Sequence, residues 1–444
     1  MVDANISILE DFTAAIRFVC ADTGLKQSFL TSPAAFTRER KLNFSSVSFL
    51  ILNMLKKSLN IELQNVFEQH TEAGLVPCTK SAFCQQRQKI KSNWFKFLLE
   101  YIARLFYEQT AIVKRWRGYK VISVDGSAAF LVNNEEVQLY YRGGSNQYGG
   151  YALARYMKMY DVLNGITIKA ELMPFDDSER YMSYKWVDAM HTDAITLFDR
   201  GYPAYTLFFL MQNSEQPKPF VMRCKRDFSN AVINFINSDK TDEQLTIYPD
   251  DRAMATLLQH GIKVNKKSAV TIRAVKVKLS NGDTEILLTN LYDKESFSIQ
   301  DLSTLYSMRW MIETDIGKEK NLFQLENFSS HSRNSIEQEF YSTFIIANIH
   351  NLIARQANEA LQSKHKSNKK YNYKINTSAS LAIFKKCLIK VYYSRNIKNL
   401  LLYLQSVFEQ FTEPIRPGRK IPRVKRSKRR YGKHQTQTNY RNNM

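Results

Sequence analysis

Lys120-Val-Ile-Ser-Val-Asp125, followed at once by Gly126, opens the stretch that decides the fold. Val121, Ser123 and Asp125 share one side of a two-residue alternation, so the run reads as a strand ending in a carboxylate. Gly126 would let a partner come close to the backbone there. Further β-type runs are expected at Val137 to Arg142, Ala154 to Tyr160 and Ile166 to Leu172. The last two flank Asn164-Gly165, a dipeptide suited to positive φ angles, which predicts an antiparallel hairpin. Beyond it, Glu179 to Met190 reads as a helix, Ala194 to Asp199 as a strand, Tyr205 to Gln212 as a helix and Phe220 to Cys224 as a strand.

Three core strands among these runs, then a helix, a strand, a helix and a fifth core strand is the order of the ribonuclease H-like fold, an α/β class with a mixed sheet and helices on its faces. On the N-terminal side, Phe49, Leu52, Leu55 and Leu59, then Phe95, Leu98, Tyr101 and Leu105, recur at helical spacing and predict an all-helical domain over 1–112. Within it, Thr79 is placed to cap a helix running from Ser81 through Arg87, Lys89 and Lys91, a basic element able to lie along a DNA groove or simply to face solvent. On the C-terminal side, a β-rich insertion is expected at about 228–295 inside a central domain of 113–335. A helical region over 336–414 and a flexible basic tail over 415–444 complete the chain.

Charge narrows the function. Lys+Arg 63 against Asp+Glu 42 gives +21, and the tail from Arg416 onward supplies 11 cations and no acid, leaving +10 for the body. Such a balance favours a polyanion, either nucleic acid or an anionic membrane surface. The membrane reading is the weaker, because the apolar runs at Val47 to Leu55 and Thr343 to Ile349 are too short to span a bilayer. Residues 1–20 lack the pattern of a secretory signal, which reads as an intracellular protein. Cys20, Cys78, Cys84, Cys224 and Cys387 are odd in number and scattered, a pattern of reduced thiols and not of a zinc site.

The chemistry is carried by Tyr306, Arg309, Glu313 and Lys320, whose steps of three, four and seven residues place them on one face of a helix expected to start near Ser298. That face would hold a carboxylate flanked by two cations and a phenol. Asp125 and Asp199 each close a strand, and each taken singly reads equally well as a turn or cap residue. If their strands are neighbours and the late helix packs beside them, three carboxylates meet. Divalent cations relieve the repulsion, and hard oxygen donors suit two Mg²⁺ or Mn²⁺ ions, the arrangement used for in-line phosphoryl transfer.

With these residues the chain resembles the DDE transposases of bacterial insertion sequences, in particular the insertion sequence four family with its Tyr-x2-Arg-x3-Glu-x6-Lys signature. Val124-Asp-Gly-Ser127, Tyr160-Asp-Val-Leu-Asn-Gly165 and Asp199-Arg-Gly-Tyr202 also look familiar, and the resemblance covers roughly residues 115–330. It implies that Asp125, Asp199 and Glu313 form a metal-binding catalytic triad, and that Tyr306, Arg309 and Lys320 hold phosphates of the transposon end. It further implies cut-and-paste transposition on double-stranded DNA, with terminal inverted repeats and target DNA as partners, at least a homodimer at synapsis, and a cytoplasmic, nucleoid-associated bacterial location. The helical N-terminal domain and the tail would then bind DNA. Relatives that cleave through a DNA hairpin hold a flipped base with an inserted aromatic residue, commonly a tryptophan. None lies between Asp199 and Trp310, so another aromatic, such as Tyr248 or Tyr292, would take that place. Two other readings stay open: a transposase-derived DNA-binding protein without catalysis, and a ribonuclease H-like nuclease without strand transfer.

Overall fold

The computed structural model describes residues 1–416 apart from 39, 70–73, 147–148, 280–281, 365–370 and 395. The expected basic tail therefore lies outside the described residues from 417 onward. The chain forms two compact units. One gathers Met1–Val113, Ala128–Ala154 and the chain from Gly317; the other gathers Lys114–Ser127 and Arg155–Ile316.

The second unit is built on an eight-stranded mixed sheet. Its strands are β1 (Lys120–Phe130), β2 (Leu153–Asp161), β3 (Ile166–Pro174), β4 (Ala194–Phe198), β5 (Phe220–Cys224), β6 (Asp242–Ile247), β7 (Val270–Lys278) and β8 (Thr284–Thr289). They lie in the order β3-β2-β1-β4-β5-β8-β7-β6. β1, β4 and β5 run parallel, while β8 pairs antiparallel with both β5 and β7, and β7 with β6. The first five positions, 3-2-1-4-5, are those of a ribonuclease H-like sheet, and the last three extend it on one side.

The central strands form where apolar residues are continuous. Every residue of β4 is buried, as a parallel strand covered on both faces requires. Ile122, Val124, Phe198, Phe208, Met211, Phe220 and Met222 form part of one apolar core. At the β2–β3 turn, the Asp161 carboxylate accepts the N–H groups of Leu163 and Asn164, each at 3.0 Å. Gly165 alone supplies the positive φ there, at 72°. Asp161 is thus a turn residue, fully buried.

Two expectations about β structure are corrected. Asp125 does not end its strand, since β1 continues to Phe130. Val137 to Arg142 is not a strand: Glu135–Tyr141 is a helix, capped by Asn134, whose side chain accepts the Val137 N–H at 2.9 Å. Glu135 and Glu136 in the first turn suit the helix dipole, and Arg142 in the left-handed region ends it, so local capping outweighs the apolar alternation.

In the first unit, the helix Asn93–Glu108 packs its apolar face against the 32-residue helix Arg333–Lys364. The basic element read as able to lie along a groove or to face solvent is shorter than its sequence suggests. The helix Lys80–Arg87 is capped by Thr79 but stops at Arg87, which is turned inward and only 1% exposed. Its guanidinium donates to Glu339 at 2.9 Å, to Gln338 at 3.1 Å and to the Ser335 carbonyl at 3.1 Å. That cation is committed to the fold and not presented to a ligand. Among the described residues no helix is long and apolar enough to cross a membrane.

Candidate functional site

Strand register brings the first two carboxylates together. Val124 of β1 is paired with Phe198, the last residue of β4, so Asp125 and Asp199 come next after one paired position, Asp125 still in its strand and Asp199 in the turn that follows β4. After Asp199 the chain turns, with the Tyr202 N–H bonded to the Asp199 carbonyl at 3.1 Å. β1 instead runs on through Gly126. A Cβ on that glycine would stand 2.7 Å from the Glu179 carboxyl carbon and 2.8 Å from the Tyr156 carbonyl oxygen. Close approach, and not a turn, is what glycine serves here.

Tyr306, Arg309 and Glu313 do not share one continuous helix. A Ser298–Asp301 capping box starts the helix Ile299–Ser307, and a second helix runs Trp310–Asn321. Between them the N–H groups of Met308, Arg309, Met311 and Ile312 bond three residues back, a 3₁₀-type tightening that turns each residue further than an α-helix does. The side chains still meet. Arg309 lies 5.8 Å from the centre of the Tyr306 ring, donates to Glu313 at 2.8 Å and faces an Asp125 oxygen at 3.6 Å. It is 2% exposed, yet its Nε and Nη1 have no hydrogen-bond acceptor, and neither does the buried Tyr306 hydroxyl. Buried donors without acceptors are costly in a folded chain and mark a place where a ligand's oxygens would be welcome.

The electrostatics agree. Burial pushes the Asp125 carboxyl up to about 6, against the pull of the Gly126 N–H and of Arg309, with the charges of Glu179 and Asp199 pushing it further. Burial also holds the Tyr306 phenol well above its ordinary range. Glu179 escaped the sequence reading, since as the first residue of the helix Glu179–Lys185 it looks like an ordinary first-turn acid behind the Ser178 cap. No local pattern could have shown that its carboxylate packs on Gly126.

The donor set suits a hard divalent cation, because every candidate ligand is a carboxylate. The arrangement is not closed. Among the described residues no three His, Cys, Asp or Glu side chains stand close enough to hold a metal together. The Glu313 carboxylate is engaged by Arg309. Lys320, seven residues after Glu313, donates to the Ala128 carbonyl and pairs with Glu326 at 3.4 Å. Of the two candidate aromatics, Tyr292 donates its hydroxyl to the Thr271 carbonyl at 2.6 Å, whereas Tyr248 is 59% exposed and lines a cavity of about 930 Å³ with Arg200 and Lys225.

Residues 116–349, more than half of the chain, match the family model described as "Transposase DDE domain". Among solved structures, one that is similar is described as the cryo-EM structure of the piggyBac transposase synaptic complex with hairpin DNA. The identity is 12%, with 91% of this chain and 83% of that chain covered and a TM-score of 0.42. No curated protein matches.

Proposed function

Because the chain belongs to the transposase DDE domain family, we propose that it cuts DNA at the ends of a mobile element, freeing 3′ hydroxyls, and joins them to target DNA in a cut-and-paste reaction of the insertion sequence four type. The observation that supports this reading is the pairing of Val124 with Phe198, immediately ahead of Asp125 and Asp199, with the buried, acceptor-poor Arg309 3.6 Å from Asp125. Asp125, Asp199 and Glu313 would hold Mg²⁺ or Mn²⁺, which when bound supplies activation of the attacking oxygen and stabilisation of the leaving one.

The side chains themselves have distinct tasks. Arg309 offers its Nε, which has no acceptor, to a phosphate oxygen, a charge-assisted contact stronger than a neutral one. Engaging that phosphate draws the guanidinium away from Glu313, so arrival of DNA and release of the third carboxylate are linked. The Tyr306 hydroxyl donates to the same phosphate, and Lys320 holds a neighbouring one. Tyr248, exposed in a cavity that also holds Arg200 and Lys225, is the aromatic residue we assign to stacking on a displaced base. The N-terminal helices and the basic tail grip double-stranded DNA, the terminal inverted repeats included, and two copies act together at the paired ends.

The test is cleavage of a labelled duplex carrying the element's own terminus with Mg²⁺ or Mn²⁺, comparing the wild type with Asp125→Ala, Asp199→Ala and Glu313→Ala. Metal-dependent nicking at the boundary, lost in all three variants while DNA binding persists, is the expected result. Specific binding without cutting under either metal would replace this reading with that of a DNA-binding protein, and nicking without joining would leave a nuclease.

A further inference from the structure

Behind Asp125 and Asp199 lies a group of side chains with no role in the chemistry set out above. The Glu179 carboxylate sits against Gly126, the residue after Asp125. One of its oxygens accepts from Arg155 of β2 at 2.6 Å, and the other accepts from the Tyr202 hydroxyl at 3.2 Å. Tyr202 is 3% exposed, and its backbone N–H closes the turn begun by Asp199. Arg155 is fixed in turn, its Nε donating to the Phe175 carbonyl at 3.1 Å just past β3. One carboxylate therefore joins four separate pieces of chain: β1 just past Asp125, β2, the first turn of the helix Glu179–Lys185, and the turn that follows Asp199.

A surface ion pair gives no reason for this arrangement. Glu179 brings a negative charge close to that of Asp125, and like charges held near each other disfavour the fold unless something is gained. The gain is geometric. Asp125 lies within a strand that continues past it, whereas Asp199 lies on a turn that departs from the sheet and is held from the helix Glu179–Lys185, Arg180 donating to the Gly201 carbonyl at 3.0 and 2.6 Å and Glu179 accepting from Tyr202. The bond from Tyr202 ties that turn to a carboxylate that packs against the β1 backbone at Gly126 and is held to β2 by Arg155. We propose that Glu179 is a positioning residue of the active centre, which through Tyr202 sets the separation of the Asp125 and Asp199 carboxylates so that both can serve one divalent cation. The proposal rests on the reading of those two aspartates as cation ligands.

Tyr202→Phe is the sharpest test, because it removes one hydroxyl and keeps the buried ring. Mn²⁺ affinity of the DNA-free full-length protein is measured by the loss of the free-ion paramagnetic resonance signal, alongside kcat and KM for cleavage of the terminal duplex. Tyr202→Phe is expected to weaken Mn²⁺ binding and lower kcat by about tenfold each, the usual cost of losing a group that orients a ligand, with KM for DNA unchanged. Glu179→Ala should lose more, and Glu179→Gln, which still offers Tyr202 an acceptor, should recover most of that loss. Wild-type Mn²⁺ affinity and kcat in Tyr202→Phe and Glu179→Ala would overturn the proposal, as would a loss confined to thermal stability. A wild-type protein that neither binds Mn²⁺ nor cuts DNA would instead sink the functional reading itself.

Discussion

Replacing Asp125 with asparagine should make the metal-free protein more stable at pH 7.5. In the folded chain this carboxyl titrates at about 6, against 3.8 for an unperturbed one, with burial as the main cause. A folded pKa above the unfolded one means that the native state binds the proton more tightly. The ionised carboxylate therefore disfavours the fold above pH 6, and the penalty fades as pH falls through 6 toward 3.8. The gap of about 2 units, at 1.36 kcal/mol each, sets an upper bound of ~3 kcal/mol at pH 7.5. The side chain is only 18% exposed, so solvent screening removes little of it. Asparagine mimics the protonated form in shape and charge, so the variant should gain ~1–3 kcal/mol at pH 7.5, shrinking to about a third of that at pH 4.5. Urea unfolding in the presence of a chelator, followed by tryptophan fluorescence at the two pH values, measures the difference. An asparagine variant no more stable than the wild type at pH 7.5, or one with an equal gain at both values, would show that Asp125 is not held in an unfavourable ionised state.

Mn²⁺ binding to the wild type should weaken by about tenfold per pH unit below pH 6, because the cation must displace a proton from Asp125; titration calorimetry from pH 7 to 5 would reveal a flat profile if this is wrong. Gly126→Ala should cost ~1–3 kcal/mol by overpacking and abolish cleavage, since the new methyl would meet the Tyr156 carbonyl oxygen at 2.8 Å, where backbone cannot yield. A stable, active alanine variant would refute the close packing. Lys158 and Asp315 form a buried ion pair, with side-chain exposures of 0% and 8%. Asp315→Leu alone should cost ~3–5 kcal/mol, and Lys158→Met added to it should restore most of that. A double variant no better than the single one would show that the pair is not coupled.

The sheet was legible because its central strands are apolar throughout, and the run Ala194 to Phe198 leaves no other place for itself than between two covered faces. Its order followed from the alternation of strands and helices. Misreadings arose where short-range chemistry competes with pattern. Asn134 and the two glutamates after it made a helix of residues whose apolar spacing suggested a strand, and a tightened turn at Met308–Arg309 divided what helical arithmetic treats as one rod. Neither Glu179 nor the inward turn of Arg87 has a local signal at all. Each takes its place from partners distant in sequence, Gly126 and Tyr202 in one case and Glu339 in the other.

The chain passes between the two compact units after Val113, Ser127, Ala154 and Ile316, and the last three passages each fall inside a strand or a helix. A truncation at any of those three severs a hydrogen-bonded element, so trimming the gene to either unit would yield frayed secondary structure in place of a clean module. Anyone seeking a split version of this protein, to be reassembled on command, should cut instead in an exposed connection within one unit, such as the loop over 214–217 ahead of β5.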